Sequence, residues 1–112
     1  MRTVKRVETL LDKAKKHIDK GEDPVPVYKK IVRGGKTIYS VSMDKEYGFD
    51  LFHYNTCILI VDTDGISLGK GYSTSDRNAI NTALEWAGKT KRVCIRNGEI
   101  QWEKDDNASK ED

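Results

Sequence analysis

Apolar residues near the start of the chain recur at intervals of three and four. Val4, Val7, Leu11, Ala14 and Ile18 fall on one stripe of a helix from about Thr3 to Lys20. Gly21 ends that helix, and Pro24 and Pro26 forbid its continuation. The period then shortens to two. VYKKIVR and KTIYSVSM flank Gly34-Gly35, a pair suited to a two-residue primed turn. That turn sets Arg33 opposite Lys36, Ile31 opposite Ile38 and Tyr28 opposite Val41. The face carrying Tyr28, Val32, Tyr39, Val41 and Met43 is the predicted core face. DKEYGFD, residues 44–50, reads as a polar connection. LFHYNTCILIVD follows as the most apolar stretch, and Thr56 to Val61 reads as a central strand, apolar on both faces. Asp62-Thr63-Asp64-Gly65 is a tight turn, and ISLGKGYS returns as the partner strand.

A second helix is predicted from about Thr74 to Ala87, with Ile80, Ala83, Leu84 and Ala87 buried and Gly88 at its end. KRVCIRN and EIQWE then flank Asn97-Gly98, the strongest short hairpin signal in the chain. A two-residue loop places Ile95 opposite Ile100 and Val93 opposite Trp102 on one face. On the other, Arg96 meets Glu99 and Arg92 meets Glu103. The predicted order is α-β-β-β-β-α-β-β. Short turns between successive strands predict an α+β fold, an antiparallel sheet of three hairpins with about six strands and two helices packed on it. Residues 1–104 form one domain in this reading, and 105–112 a disordered acidic tail.

Charge changes the picture more than composition does. The 112 residues carry a net charge of +2, with 34% charged and 37% hydrophobic residues, as in ordinary globular domains. Residues 1–20 hold seven Lys/Arg and three Asp/Glu, whereas 103–112 hold five acids and two lysines. The head is basic and the tail acidic. A dedicated DNA-binding domain carries a larger basic excess, and an acidic mimic of DNA would be far more negative. No apolar run approaches the ~20 residues that cross a bilayer. MRTVKRVETLLDKAKKH has charges throughout and no apolar h-region, which predicts no secretory signal. Cys57 and Cys94 make no disulfide framework, and the expected address is a cytoplasm, with both thiols reduced.

Residues 69–78, GKGYSTSDRN, hold the densest candidate chemistry. Ser73 followed by Asp76 is a close variant of the capping box, and Ser75 offers another cap. The functional alternative is an anion site at the helix start, using Lys70, Ser73, Ser75 and Arg77. The segment lacks the GxxxxGK[ST] spacing of a P-loop. Asp62-x-Asp64-Gly opens like a calcium loop, but Ile66 and Ser73 stand where ligands belong, so a turn is predicted. His17, His53, Cys57 and Cys94 follow no zinc spacing, and no metal or cofactor is expected. Nothing orients a base beside a nucleophile, and no carboxylate pair suggests general acid–base work; an enzyme is not expected.

Two features suggest binding. Lys5, Arg6, Lys13, Lys16 and Lys20 lie on the first helix with Glu8 and Asp12 interspersed; such a face is either simply solvated or tracks phosphates. Tyr47, Phe49, Phe52 and Tyr54 crowd one connection, as core residues or as anchors for a partner; Tyr47, Phe49 and Tyr54 are the candidate anchors.

Residues 53–88, HYNTCILIVD…GYSTSDRNAINTALEWAG, resemble small orphan proteins of phages and mobile elements in Gram-positive bacteria. The resemblance is carried by Tyr54, Thr56, Ile58, Gly71, Tyr72, Ser73, Ser75, Asp76, Ile80 and Asn81. It covers about a third of the chain, and its motifs are mostly structural. It implies no enzymatic activity. It implies an accessory or anti-defence role, with inhibition of a type II CRISPR effector, a Cas9-type nuclease with its guide RNA, as the leading expectation. The alternatives are a small nucleic-acid-binding accessory protein and a sequestering protein for a signalling nucleotide.

Overall fold

The computed structural model describes residues 3–21, 25–29, 32–33, 36–37, 39–71 and 73–103, with side chains over 7–21, 39–71 and 73–103. Helix α1 spans Thr3–Asp19 and α2 spans Thr74–Trp86. Strands β1 (Val25–Lys29), β2 (Val32–Arg33), β3 (Lys36–Thr37) and β4 (Tyr39–Met43) form the first long hairpin. Arg33 pairs with Lys36 and Tyr28 with Val41, as the turn reading requires. The Gly34-Gly35 turn and the Ile31–Ile38 pair lie outside the described residues. Strands β6 (Thr56–Asp62) and β7 (Gly65–Leu68), and β8 (Val93–Arg96) and β9 (Glu99–Trp102), are the other two hairpins. The α+β class, the antiparallel pairing and the order of helices and hairpins match the sequence pattern.

One strand lies beyond that pattern. β5 (Phe49–His53) runs between β4 and β6, completing a sheet in the order β1-β4-β5-β6-β7. The connection predicted over 44–50 therefore ends sooner. Asp44 closes it by accepting hydrogen bonds on Oδ1 from the N–H groups of Glu46 and Gly48, at 2.8 and 3.1 Å. Residues 49–53 alternate across the sheet, with Phe49 and Leu51 buried on the helix side. His53 then turns into β6 through Tyr54, whose φ is 56°.

The register slips between Leu51–Leu59 and Phe52–Cys57, leaving Ile58 as an extra residue in β6. This bulge allows Ile58 and Leu59 to be buried together, which strict alternation forbids. Past β7 the chain still follows β6. The N–H groups of Gly69 and Lys70 donate to the carbonyls of Ile58 and Cys57. A Cβ on Gly69 would lie 2.0 Å from the Cys57 carbonyl oxygen, so this close approach needs glycine.

The core lies between the sheet and the helices. Val7, Leu10, Leu11, Ala14 and Ile18 of α1 and Ala79, Ile80, Ala83 and Leu84 of α2 meet Tyr39, Val41, Met43, Leu51, Leu59 and their sheet neighbours. The side chain of Val4, and those of Tyr28 and Val32, lie outside the described set. β6 is central in the sheet and apolar on both faces, as its sequence reads, but Ile60 on its outward face is 36% exposed.

The closing hairpin has the predicted register, Val93 with Trp102, Ile95 with Ile100 and Arg96 with Glu99. Asn97 and Gly98 both take positive φ, 52° and 77°, as a primed turn requires. Asn81 of α2 holds this hairpin in place. Its side chain donates to the Val93 carbonyl at 3.1 Å and accepts from the Val93 N–H at 2.8 Å, as a neighbouring strand would. Residues 104–112, which include the predicted tail over 105–112, lie outside the described residues. Among those described, no helix is long and apolar enough to cross a membrane.

Candidate binding surface

The two helices divide the charge of α1 by face. Glu8, Asp12, Lys15 and Asp19 recur at helical spacing, Glu8 and Asp12 beside α2 and Lys15 and Asp19 beside Tyr47. Two of them hold other parts of the fold. Asp12 Oδ1 accepts from the Trp86 indole N–H at 2.9 Å, and Asp19 Oδ1 accepts from the Tyr47 hydroxyl at 2.5 Å. Lys13, Lys16 and Lys20, spaced three and four apart, form the neighbouring stripe. Lys16 and Lys20 are exposed and Lys13 is half-buried. Asp12 is therefore engaged by Trp86 as well as standing one turn before Lys16. The side chains of Lys5 and Arg6 lie outside the described residues.

The aromatic candidates separate. Phe49 is 2% exposed and packs edge-on against Trp86, with ring centroids 5.8 Å apart. It is a core residue and no anchor for a partner. Tyr47 and Tyr54 are 41% and 48% exposed and remain on the surface. Both hold positive φ at turn positions, which is uncommon for a bulky side chain. Lys15 Nζ lies 5.6 Å from the Tyr47 ring centroid. The hydrogen bond to Asp19 raises the Tyr47 phenol above its ordinary 10.0, with smaller contributions from burial and the Asp19 charge.

The start of α2 is a cap. Ser73 Oγ accepts from the Asp76 N–H at 3.1 Å, and Asp76 Oδ2 accepts from the Ser73 N–H at 3.3 Å, closing the reciprocal box. Asp76 is 6% exposed, so the helix start already holds a carboxylate where an anion would sit. Arg77 turns onto Asn78 Oδ1, at 3.3 and 3.4 Å, and Ser75 is half-buried. Lys70 is exposed. The geometry gathers none of these four into a phosphate cradle. Gly71 serves packing, because a Cβ there would meet Ile100 Cγ1 at 3.1 Å and Asp76 Cβ at 3.2 Å. Gly71, Ser73, Asp76, Ile80 and Asn81, which carry much of the family resemblance, thus all have tasks in the fold.

Sequence reasoning missed one constellation here. His53 Nδ1 lies 2.5 Å from Asp76 Oδ1, and its ring stacks between Tyr39 and Tyr54, with centroids 4.7 and 4.8 Å away. The residues come from β4, β5, the β5–β6 turn and α2, so no local spacing announces them. Among the described residues, no group of three or more His, Cys, Asp or Glu side chains is placed to hold a metal. Burial, with help from the Asp50 charge, pushes the Cys57 thiol up despite its contact with the Leu59 carbonyl, which disfavours the reactive thiolate. The turn at 62–65 takes up Asp62 Oδ1 with the N–H groups of Asp64 and Gly65, at 2.9 and 3.0 Å. No family model matches the chain, and no match was found among curated proteins or solved structures.

Proposed function

We propose that this is a non-enzymatic binding protein of a phage or mobile element. In this reading it acts by occluding a host defence effector, with a Cas9-type nuclease carrying its guide RNA as the partner. The observation that supports binding is the sorting of charge along α1. Asp12 and Asp19 are bonded to Trp86 and Tyr47, and Lys13, Lys16 and Lys20 form the neighbouring stripe. A basic stripe suits a ribonucleoprotein, because nucleic acid dominates the field around such a particle. The choice of effector rests on the family resemblance alone.

The test is capture of a purified Cas9–guide complex, with target cleavage measured alongside. Tight binding and lost cleavage are expected, both weakened by Lys13→Glu, Lys16→Glu and Lys20→Glu together. Binding to bare duplex or single strands with a steep salt slope, and no effect on the complex, would assign it to the nucleic-acid-binding accessory proteins. A nucleotide that copurifies would make it a sequestering protein. Turnover of a small molecule that requires His53 or a cysteine would overturn the non-enzymatic reading.

A further inference from the structure

The two edges of the five-stranded sheet differ. At one edge, β1 holds Pro26, and its register slips between Val25 and Tyr28, two devices that keep foreign strands away. At the other edge, β7 has neither. Its residues, GISL, include no proline and no charge, and they pair with β6 without a slip. The phase of its backbone follows from Gly69, whose N–H donates to the Ile58 carbonyl. Bonding to one neighbour alternates along an antiparallel strand, so Gly65 and Ser67 also bond towards β6. Ile66 and Leu68 therefore turn their N–H and C=O groups away from the sheet. Among the described residues, these groups have no hydrogen-bond partner. The edge is taken up again only at Gly71, whose carbonyl accepts from the Ile100 N–H at 3.3 Å.

We propose that the β7 edge pairs with the β7 edge of a second copy of this chain, antiparallel and across a two-fold axis at Ser67. Centred there, the register sets Ile66 opposite Leu68 of the second copy, and Leu68 opposite its Ile66. Both residues carry the outward-turned backbone groups, so the two pairs exchange about four hydrogen bonds. Ile66 and Leu68 are half-buried against the core, and the same pairing covers more of each. Charge complementarity selects this occupant. Asp64 and Lys70 are both exposed, and they stand three residues before and three residues after Ser67. Each therefore meets its opposite in the other copy, once at either end of the shared ladder. A parallel alignment in register would instead set Asp64 beside Asp64 and Lys70 beside Lys70. This edge shares no residue with the lysine stripe of α1, and the inference does not depend on the partner proposed above.

Sedimentation equilibrium of the full-length protein between about 1 μM and about 1 mM should show the mass rising from monomer towards dimer. Asp64→Lys and Lys70→Glu should each raise the dimer dissociation constant about fivefold or more, because two like-charge contacts replace two attractive ones. The double variant exchanges the charges and should return close to the native value. Ser67→Cys tests the axis. Facing residues of a non-hydrogen-bonded pair have Cα atoms about 4.5 Å apart, within disulfide reach. With oxidised glutathione as electron acceptor, this variant should form a covalent dimer faster than the native chain, whose Cys57 and Cys94 are half-buried. A monomer throughout the concentration range would overturn the proposal. So would a dimer indifferent to both charge changes, no recovery in the double variant, or no faster cross-linking of Ser67→Cys. Ile66 and Leu68 amides that resist hydrogen exchange in the dilute monomer would show the edge already occupied within the chain, which would overturn it too.

Discussion

His53 at the end of β5 contacts Asp76 in the first turn of α2 through Nδ1 and Oδ1, 2.5 Å apart across 23 residues of sequence. The same carboxylate closes the capping box with its other oxygen. One side chain therefore joins the sheet to the helix start. Asp76→Ala should cost about 1–3 kcal/mol, since it removes a cap interaction and a buried hydrogen bond together. His53→Phe keeps a ring between Tyr39 and Tyr54 but loses the bond. In urea denaturation the double variant should fall short of the summed losses by about 1 kcal/mol. Strict additivity would show that the contact is energetically idle.

Gly69 and Gly71 should respond differently to alanine. At Gly69 the new Cβ would meet a backbone oxygen at 2.0 Å, within a strand that cannot retreat. At Gly71 it would meet two side-chain atoms beyond 3 Å, which can yield by a few tenths of an ångström. Gly69→Ala should cost upwards of about 2 kcal/mol and Gly71→Ala about 1 or less. Thermal midpoints of the two variants check the ranking.

Asp50 predicts an inverted acid response. Its folded-state pKa is raised, first by burial and then by Asp44 and Asp62. The folded chain holds this proton more tightly than the unfolded chain. Its contribution to stability is thus fullest below the ordinary value of 3.8 and is lost as pH rises through the folded value. Asp50→Asn should therefore stabilise the protein at pH 7, by no more than about 1 kcal/mol for this partly solvated group. The gain should vanish in acid below the carboxylate range. Paired denaturation curves at the two pH values decide it.

Tyr47 offers a spectroscopic readout. Its hydroxyl donates to Asp19, which stabilises the neutral phenol and raises its pKa above 10.0. Ultraviolet titration should show one tyrosine ionising late, and Asp19→Asn should bring it back towards the ordinary range. A titration unchanged by Asp19→Asn would refute the contact in solution.

The elements with strong periodicity were legible before any coordinates. The stripe of α1, the Ser73–Asp76 cap and the Asn97-Gly98 hairpin depend on neighbours within a few residues, and each is found as read. β5 was obscured because its aromatic residues do not reveal which face is covered. Phe49 sits in the core and Phe52 on the half-buried outer face of the same strand. The lysine stripe could be read as a helical face, but its separation from the acids could not, because Trp86 and Tyr47 come from distant segments.

The amino-acid order alone determined the two helices, the turns at Asp62–Gly65 and Asn97-Gly98 and the pairing across the closing hairpin, because period, capping and turn chemistry act over short distances. Only the tertiary structure decided the His53–Asp76 contact, the bulge at Ile58 and the bonding of Asp12 and Asp19 to Trp86 and Tyr47. Those depend on which elements meet in space, and burial against a shared core sets that without leaving any spacing along the chain.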